Sequence, residues 1–139
     1  MTAADDYDLD AQVGYLLRRA NQRHLAIFAE RLPDLTPMQF AALARLRAEG
    51  PLSQNALGRA VAMDAATIKG VADRLRAKGL VEAAPDPDDR RRTILSPSAA
   101  GLALFEGLAA TGLEISADTL APLGPEERAT FLRLLARLG

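Results

Sequence analysis

The strongest constraint on the fold is the stretch Asp64–Arg92, DAATIKGVADRLRAKGLVEAAPDPDDRRR, which predicts a helix running straight into a charged hairpin. Asp64 is placed to cap the helix, because a carboxylate there accepts hydrogen bonds from the unpaired amides of the first turn. Ile68, Val71, Ala72 and Leu75 recur at helical spacing and form one apolar face. Lys69, Asp73 and Arg76 share the opposite, solvated side. Gly79 suits the left-handed conformation that ends many helices. Leu80–Ala84 and Arg92–Leu95 then read as short strands, separated by a turn rich in Pro and Asp over 85–89.

The rest of the chain is arranged around this pair of elements. Asp8–Leu32 predicts a long first helix whose stripe runs Val13, Leu17, Ala20, His24, Ile27, Arg31, a seam suited to packing on another long helix. Pro33, Asp34 and Pro37 break the chain, and Thr36 caps a second helix that carries Pro37 at its first position. Phe40, Leu43, Ala44 and Leu46 form its expected buried face, and Gly50–Pro51 ends it. Ser53 caps a short helix through Gln54, Leu57, Gly58 and Val61, and a tight turn at Ala62–Met63 leads into the helix at Asp64. After the hairpin, Ser98 caps a long helix with Leu102, Phe105, Leu108 and Ile115 on one side. Gly124–Pro125–Glu126–Glu127 opens a final helix with Phe131, Leu134, Leu135 and Leu138 in a stripe.

Composition narrows the possible functions. Apolar residues make up 49% of the 139 but aromatics only 4%, so the core rests on Leu, Ala, Val and Ile, a helix-favouring set. Without cysteine there is no disulfide framework, thiol switch or Cys-ligated metal. One His, no Gly-rich phosphate loop and no metal-ligand cluster argue against an enzyme, and no cofactor is expected. The acidic start MTAADDYDLD lacks the apolar stretch of a signal peptide, and no apolar run reaches the roughly 18 residues of a membrane span, so a cytoplasmic location away from membranes is expected. Net charge is −1, but residues 1–10 carry −4, 11–92 carry +5 and 93–139 carry −2. A basic middle between acidic ends permits phosphate contacts, which depend on local charge.

Two short helices joined by a tight turn, then a basic-tipped hairpin, outline a winged helix-turn-helix, which points to DNA. Alone, the charged wing reads better as an ordinary solvated hairpin of mixed charge; the helix pair before it reverses that and favours DNA. The other class open to this shape is a winged helix that meets protein without reading DNA. The expected architecture is mainly α. Residues 1–34 form an N-terminal dimerisation helix. Residues 35–97 form the winged lobe, with three short helices and a small β-hairpin wing. Residues 98–139 form C-terminal dimerisation helices.

In that order the chain resembles the MarR family of winged-helix transcriptional regulators, from about Leu35 to Gly101. LTPMQFAALARL looks like the family's second helix, and LSQNALGRAVAMDAATIKGVADRLRAKGLV like its paired DNA-binding helices. DPDDRRRTILSPSAAG looks like its wing and the entry to its fifth helix, where the usual form is DPxDRR, apolar residues, then LTxxG. Gly70 stands where members often carry a basic or polar residue, leaving the reach to Lys69, and Pro97–Ser98 replaces Leu-Thr while keeping a helix cap. The absence of Cys excludes the peroxide-sensing mechanism of some members, and the absence of Trp argues against the urate-responsive subgroup.

The resemblance assigns roles that chemistry makes specific. Thr67 and Lys69 are expected at base edges in a major groove, with Ala65 and Ala66 near thymine methyls or simply allowing close approach. Arg74 and Arg76 are expected at phosphate, and Ser53 and Gln54, at the start of the preceding helix, join the DNA-binding set. Arg90 or Arg91 would enter a minor groove, with Asp88 or Asp89 orienting the arginine by a paired hydrogen bond. The family implies a homodimer on a pseudo-palindromic operator, usually a repressor, released by a small anionic aromatic effector or its thioester. Tyr15, Arg19, Arg23, His24 and Phe40 are the candidates for that effector. Three of them have a plainer reading: His24 as a packed interface side chain, Arg19 and Arg23 as salt-bridge formers.

Overall fold

The computed structural model describes every residue, Met1–Gly139. Its elements are α1 (Ala3–Asp6), a 3-10 turn (Leu9–Ala11), α2 (Val13–Arg31), α3 (Pro37–Glu49), β1 (Leu52–Ser53), α4 (Gln54–Ala60), α5 (Ala65–Ala77), β2 (Val81–Pro85), β3 (Thr93–Pro97), α6 (Ala99–Thr119) and α7 (Pro125–Ala136). Packing divides the chain into Asp34–Ala110 and a second unit made of Met1–Pro33 with Thr111–Gly139. The functional lobe expected over 35–97 therefore packs together with the first half of α6.

In the unit Asp34–Ala110, capping chemistry sets the helix starts. The Thr36 hydroxyl accepts from the Gln39 amide at 3.1 Å, while the Gln39 side chain accepts from the Thr36 amide at 3.2 Å, a reciprocal box that explains why Gln39 is buried. Ser53 accepts from the Ala56 amide at 3.1 Å, and Asp64 from the Thr67 amide at 2.7 Å. α5 ends as its sequence demands: Gly79 takes φ +73°, the Leu80 amide reaches the Leu75 carbonyl at 3.0 Å and the Gly79 amide reaches Arg76 at 2.9 Å. Leu43, Leu46, Leu57, Ile68, Leu75 and Leu95 are almost wholly buried and tie α3, α4, α5 and the sheet together. Each such side chain contributes about 1.5–3 kcal/mol relative to exposure.

The sheet holds three antiparallel strands in the order β1-β3-β2, with Leu52 opposite Leu95 and Val81 opposite Pro97. The strands expected at Leu80–Ala84 and Arg92–Leu95 thus lie one to two residues further on, and β1 is an addition. The hairpin extends to Pro97 because Ser98 then anchors the next helix: its amide donates to Leu80 at 3.0 Å, its hydroxyl to Gly79 at 2.7 Å, and its Oγ accepts from Gly101 at 3.0 Å. Gly101 is required by this junction, since a Cβ there would meet the Leu80 carbonyl oxygen at 2.0 Å.

In the unit of terminal segments, α2 begins at Val13 rather than Asp8, because the Asp8 carboxylate takes the Asp10 amide and turns residues 9–11 into a 3-10 turn. Only Phe28, Leu32 and Ile115 are buried in this unit, whereas Val13, Leu16, Leu17, Phe131, Leu134 and Leu135 stay exposed. Arg31 pairs with Glu114 at 2.8 Å and Asp118 at 2.6 Å. Taken as a whole, α6 reaches a mean hydropathy of 1.2 over 18 of its 21 residues, so it has the length and composition of a membrane span even though no uninterrupted apolar run does. Its charges speak against that use: Glu114 and Asp118 pair with Arg31, and Glu106 with Arg47 at 3.5 Å.

Candidate nucleic-acid interface and ligand cavity

Burial of Ile68, Val71, Ala72 and Leu75 fixes the rotation of α5 and turns the other side of the helix to solvent. Ala65, Ala66, Lys69, Arg74 and Arg76 are exposed there, and Thr67 is half-buried. The Thr67 amide and hydroxyl both hydrogen-bond Asp64 and hold its carboxyl below the usual range, so this threonine secures the cap as well as fronting the helix. Lys69 is held by Asp73 at 2.9 Å, an i,i+4 pair in which the ammonium lowers the Asp73 pKa. Arg74 folds back along the helix, its Nη1 3.1 Å from where a Cβ on Gly70 would sit. Gly70 thus leaves room for an arginine to lie flat on the exposed face. Arg76 is exposed, and its charge helps lower the Asp73 pKa behind that of Lys69.

The wing is built by its own aspartates. The Asp86 carboxylate accepts from the Asp88 amide at 2.9 Å, and the Asp86 amide reaches the Arg92 carbonyl at 2.9 Å, closing the turn. Asp89 accepts from the Arg91 amide at 3.1 Å and grips the guanidinium through Nε at 3.1 Å and Nη2 at 3.3 Å. Those bonds, the side-chain ones foremost, lower the Asp89 pKa. Of the two acids offered for this role, Asp89 fills it; the Asp88 carboxylate has no partner, because it stands one position too early in the turn. Arg90 is exposed and unpaired, and Arg91, 92% exposed along its side chain, is held only from behind. A small cavity of about 90 Å³ joins Ser53 and Gln54 to Arg91 and Arg92, so the start of α4 and the base of the wing share one polar cleft.

Of the five effector candidates, Tyr15, Arg19, Arg23 and His24 lie on α2 and Phe40 on α3. Arg19 lies over the Tyr15 ring at 5.8 Å. Arg23 is committed to the end of α6, donating to the Asp118 carbonyl at 2.8 Å and Thr119 at 3.3 Å. His24 Nδ1 lies 2.9 Å from the Thr119 hydroxyl. Phe40 belongs to the other unit, its ring 5.2 Å from Phe105. His24 and Thr119 help line a largely apolar cavity of about 390 Å³ with Asn21, Ser116, Leu120 and Phe131. Sequence reasoning had no signal for Thr119, which stands 95 residues from its partner. No cluster of metal-ligating side chains is present.

Comparison with known proteins bears on these surfaces. A family model described as the MarR family matches residues 34–92, which hold α3–α5 and most of the wing. The HTH-type transcriptional repressor NicR of Pseudomonas putida is 43% identical over 134 residues, covering 95% of this chain and 85% of NicR. A crystal structure of a "probable transcriptional regulator" from Pseudomonas aeruginosa superposes with a TM-score of 0.92 at 52% identity, covering 95% of this chain and all of that one. BpsR of Bordetella bronchiseptica, whose DNA binding is regulated by 6-hydroxynicotinic acid, gives a TM-score of 0.91 at 40% identity, covering 95% and 96%.

Proposed function

Since the chain belongs to the MarR family of winged-helix transcriptional regulators and is itself a DNA-binding regulator, we propose that it works as a cytoplasmic homodimeric repressor of a pseudo-palindromic operator, released by a small aromatic or heteroaromatic carboxylate. The observation that carries the reading is the solvent face of α5 in one unit with the wing: Lys69, Arg74 and Arg76 on the helix, Arg90 and the Asp89-braced Arg91 on the hairpin. α5 reads base edges from its first turns, Arg74 and Arg76 position it on phosphate, and the wing arginines enter the minor groove. Two lobes reading half-sites one helical turn apart require a pair of chains. The exposed stripes of α2 and α7 supply an apolar surface for that pairing. The effector class follows from BpsR and from a cavity that offers apolar walls and His24. No membrane or cofactor enters the mechanism, and no catalytic role is proposed.

Fluorescence anisotropy with DNA from upstream of the protein's own gene tests this reading. Saturation at two chains per palindrome, steep weakening with salt and release by 6-hydroxynicotinate are expected. Each phosphate contact removed, as in Arg76→Ala, lowers the salt slope by about one. Binding no tighter than to random DNA, with no salt dependence, would favour the protein-binding alternative instead.

A further inference from the structure

The donor and acceptor in the contact of the single histidine can be assigned from the atoms around it. Thr119 has one hydroxyl hydrogen, and its Oγ1 lies 2.9 Å from the Ile115 carbonyl oxygen, a group that only accepts. That hydrogen is committed to the α6 backbone, a common bond for threonine inside a helix. The same Oγ1 then has only lone pairs to offer His24 Nδ1 at 2.9 Å, so Nδ1 must be the donor. A neutral imidazole protonated at Nδ1 carries a bare lone pair on Nε2. That nitrogen has no hydrogen-bond partner within the protein, and the half-buried ring helps line the cavity with Asn21, Ser116 and Phe131. Arg23, the neighbouring cation, is spent on the carbonyls that end α6 and does not offset this acceptor.

We propose that Thr119 is a positioning residue that fixes His24 as an acceptor, so that the cavity selects aromatic carboxylates bearing a hydrogen-bond donor, a ring hydroxyl or a pyridone N–H. This rests on reading the cavity as the effector site. A ligand lacking the donor would bury Nε2 without a partner, and leaving a buried acceptor unpaired lowers affinity by about ten-fold or more. The chain thus separates two tasks. Apolar walls accept any flat ring, and one acceptor of fixed polarity sorts the rings by their substituents.

The test uses the full-length protein with ¹⁵N-labelled histidine at pH 8, where histidine is ordinarily neutral. Long-range ¹H–¹⁵N spectra should show the proton on Nδ1 in the wild type and a shift toward Nε2 in Thr119→Val, with Thr119→Ser restoring the wild-type pattern. Calorimetric titration with 6-hydroxynicotinate and with 6-methoxynicotinate, which keeps the ring and carboxylate but has no donor, reads selectivity. The wild type and Thr119→Ser should prefer the hydroxy compound by about ten-fold, and Thr119→Val should lose most of that preference. A proton on Nε2 in the wild type overturns the assignment, whether or not Thr119→Val folds. Equal binding of both compounds by the wild type, or selectivity unchanged in Thr119→Val, overturns the selection while leaving the effector site standing. Failure of both compounds to bind a protein with the expected tautomer sinks the effector reading and the selection with it.

Discussion

At the scale of single residues, two positions carry unusual weight. A methyl group on Gly101 would sit 2.0 Å from the Leu80 carbonyl oxygen, which is backbone already held by the Ser98 amide. Gly101→Ala must therefore displace the start of α6, and urea denaturation is expected to show a loss of about 3 kcal/mol, the upper end of overpacking costs. Asp64 acts through charge. Hydrogen bonds from Thr67 lower its folded-state pKa below the unfolded value, so its contribution is complete above the ordinary carboxylate pKa and is lost as pH falls through the depressed one. Melting temperatures from pH 7 to pH 2 should fall less steeply on the acid side in Asp64→Asn, which keeps a capping oxygen without a titrating charge. Asp64 was legible from its place before an apolar period. Gly101 could be placed from the LTxxG-like stretch, but its partner could not, because that partner is a carbonyl twenty-one positions earlier.

At the scale of elements, legibility followed how local the cause is. Thr36, Ser53 and Gly79 start or stop helices through bonds within a few residues, and the sequence announces each. β1 has two residues and no period to read; it exists because Leu52 and Ser53 find β3. The strand ends moved for the same reason, since pairing with Pro97 and the Ser98 anchor, rather than propensity, decide where the ladder stops. The long-range partners of the candidate site were equally hidden: nothing near Arg23 says that it closes the end of α6. In the wing, the two aspartates that looked alike in sequence have opposite roles. Asp88→Asn removes an unpartnered negative charge and should tighten operator binding a few-fold at low salt. Asp89→Asn removes a negative charge too, yet should weaken binding, because Arg91 loses its charged brace. Anisotropy titrations of the two variants side by side should therefore move in opposite directions; equal shifts would leave charge alone as the explanation.

At the scale of the whole molecule, the two units differ in how much they bury. Asp34–Ala110 holds nearly the whole core, whereas the terminal segments bury Phe28, Leu32 and Ile115 and expose Leu16, Leu17, Phe131 and Leu134. The stripes were visible as periodicity, but the contacts within one chain were not: Phe28, outside the expected stripe of α2, is buried, while Val13 and Leu17 of the seam expected to meet another helix are exposed. Leu135→Glu should lower the sedimenting mass from two chains to one and reduce operator affinity about a hundred-fold, as expected when two linked half-site contacts become one. The unit Asp34–Ala110 lies outside the change, so the full-length variant should keep its helicity by circular dichroism.

For a living cell, the sparse burial of the terminal helices becomes a matter of turnover. A newly made chain that has not met a second copy displays α2 and α7 with their leucines exposed and few side chains buried, the kind of segment that opens early to proteases. If two copies pair as proposed, pairing would hide them, lifetime would rise with abundance, and a fall in synthesis would empty the operator faster than dilution alone.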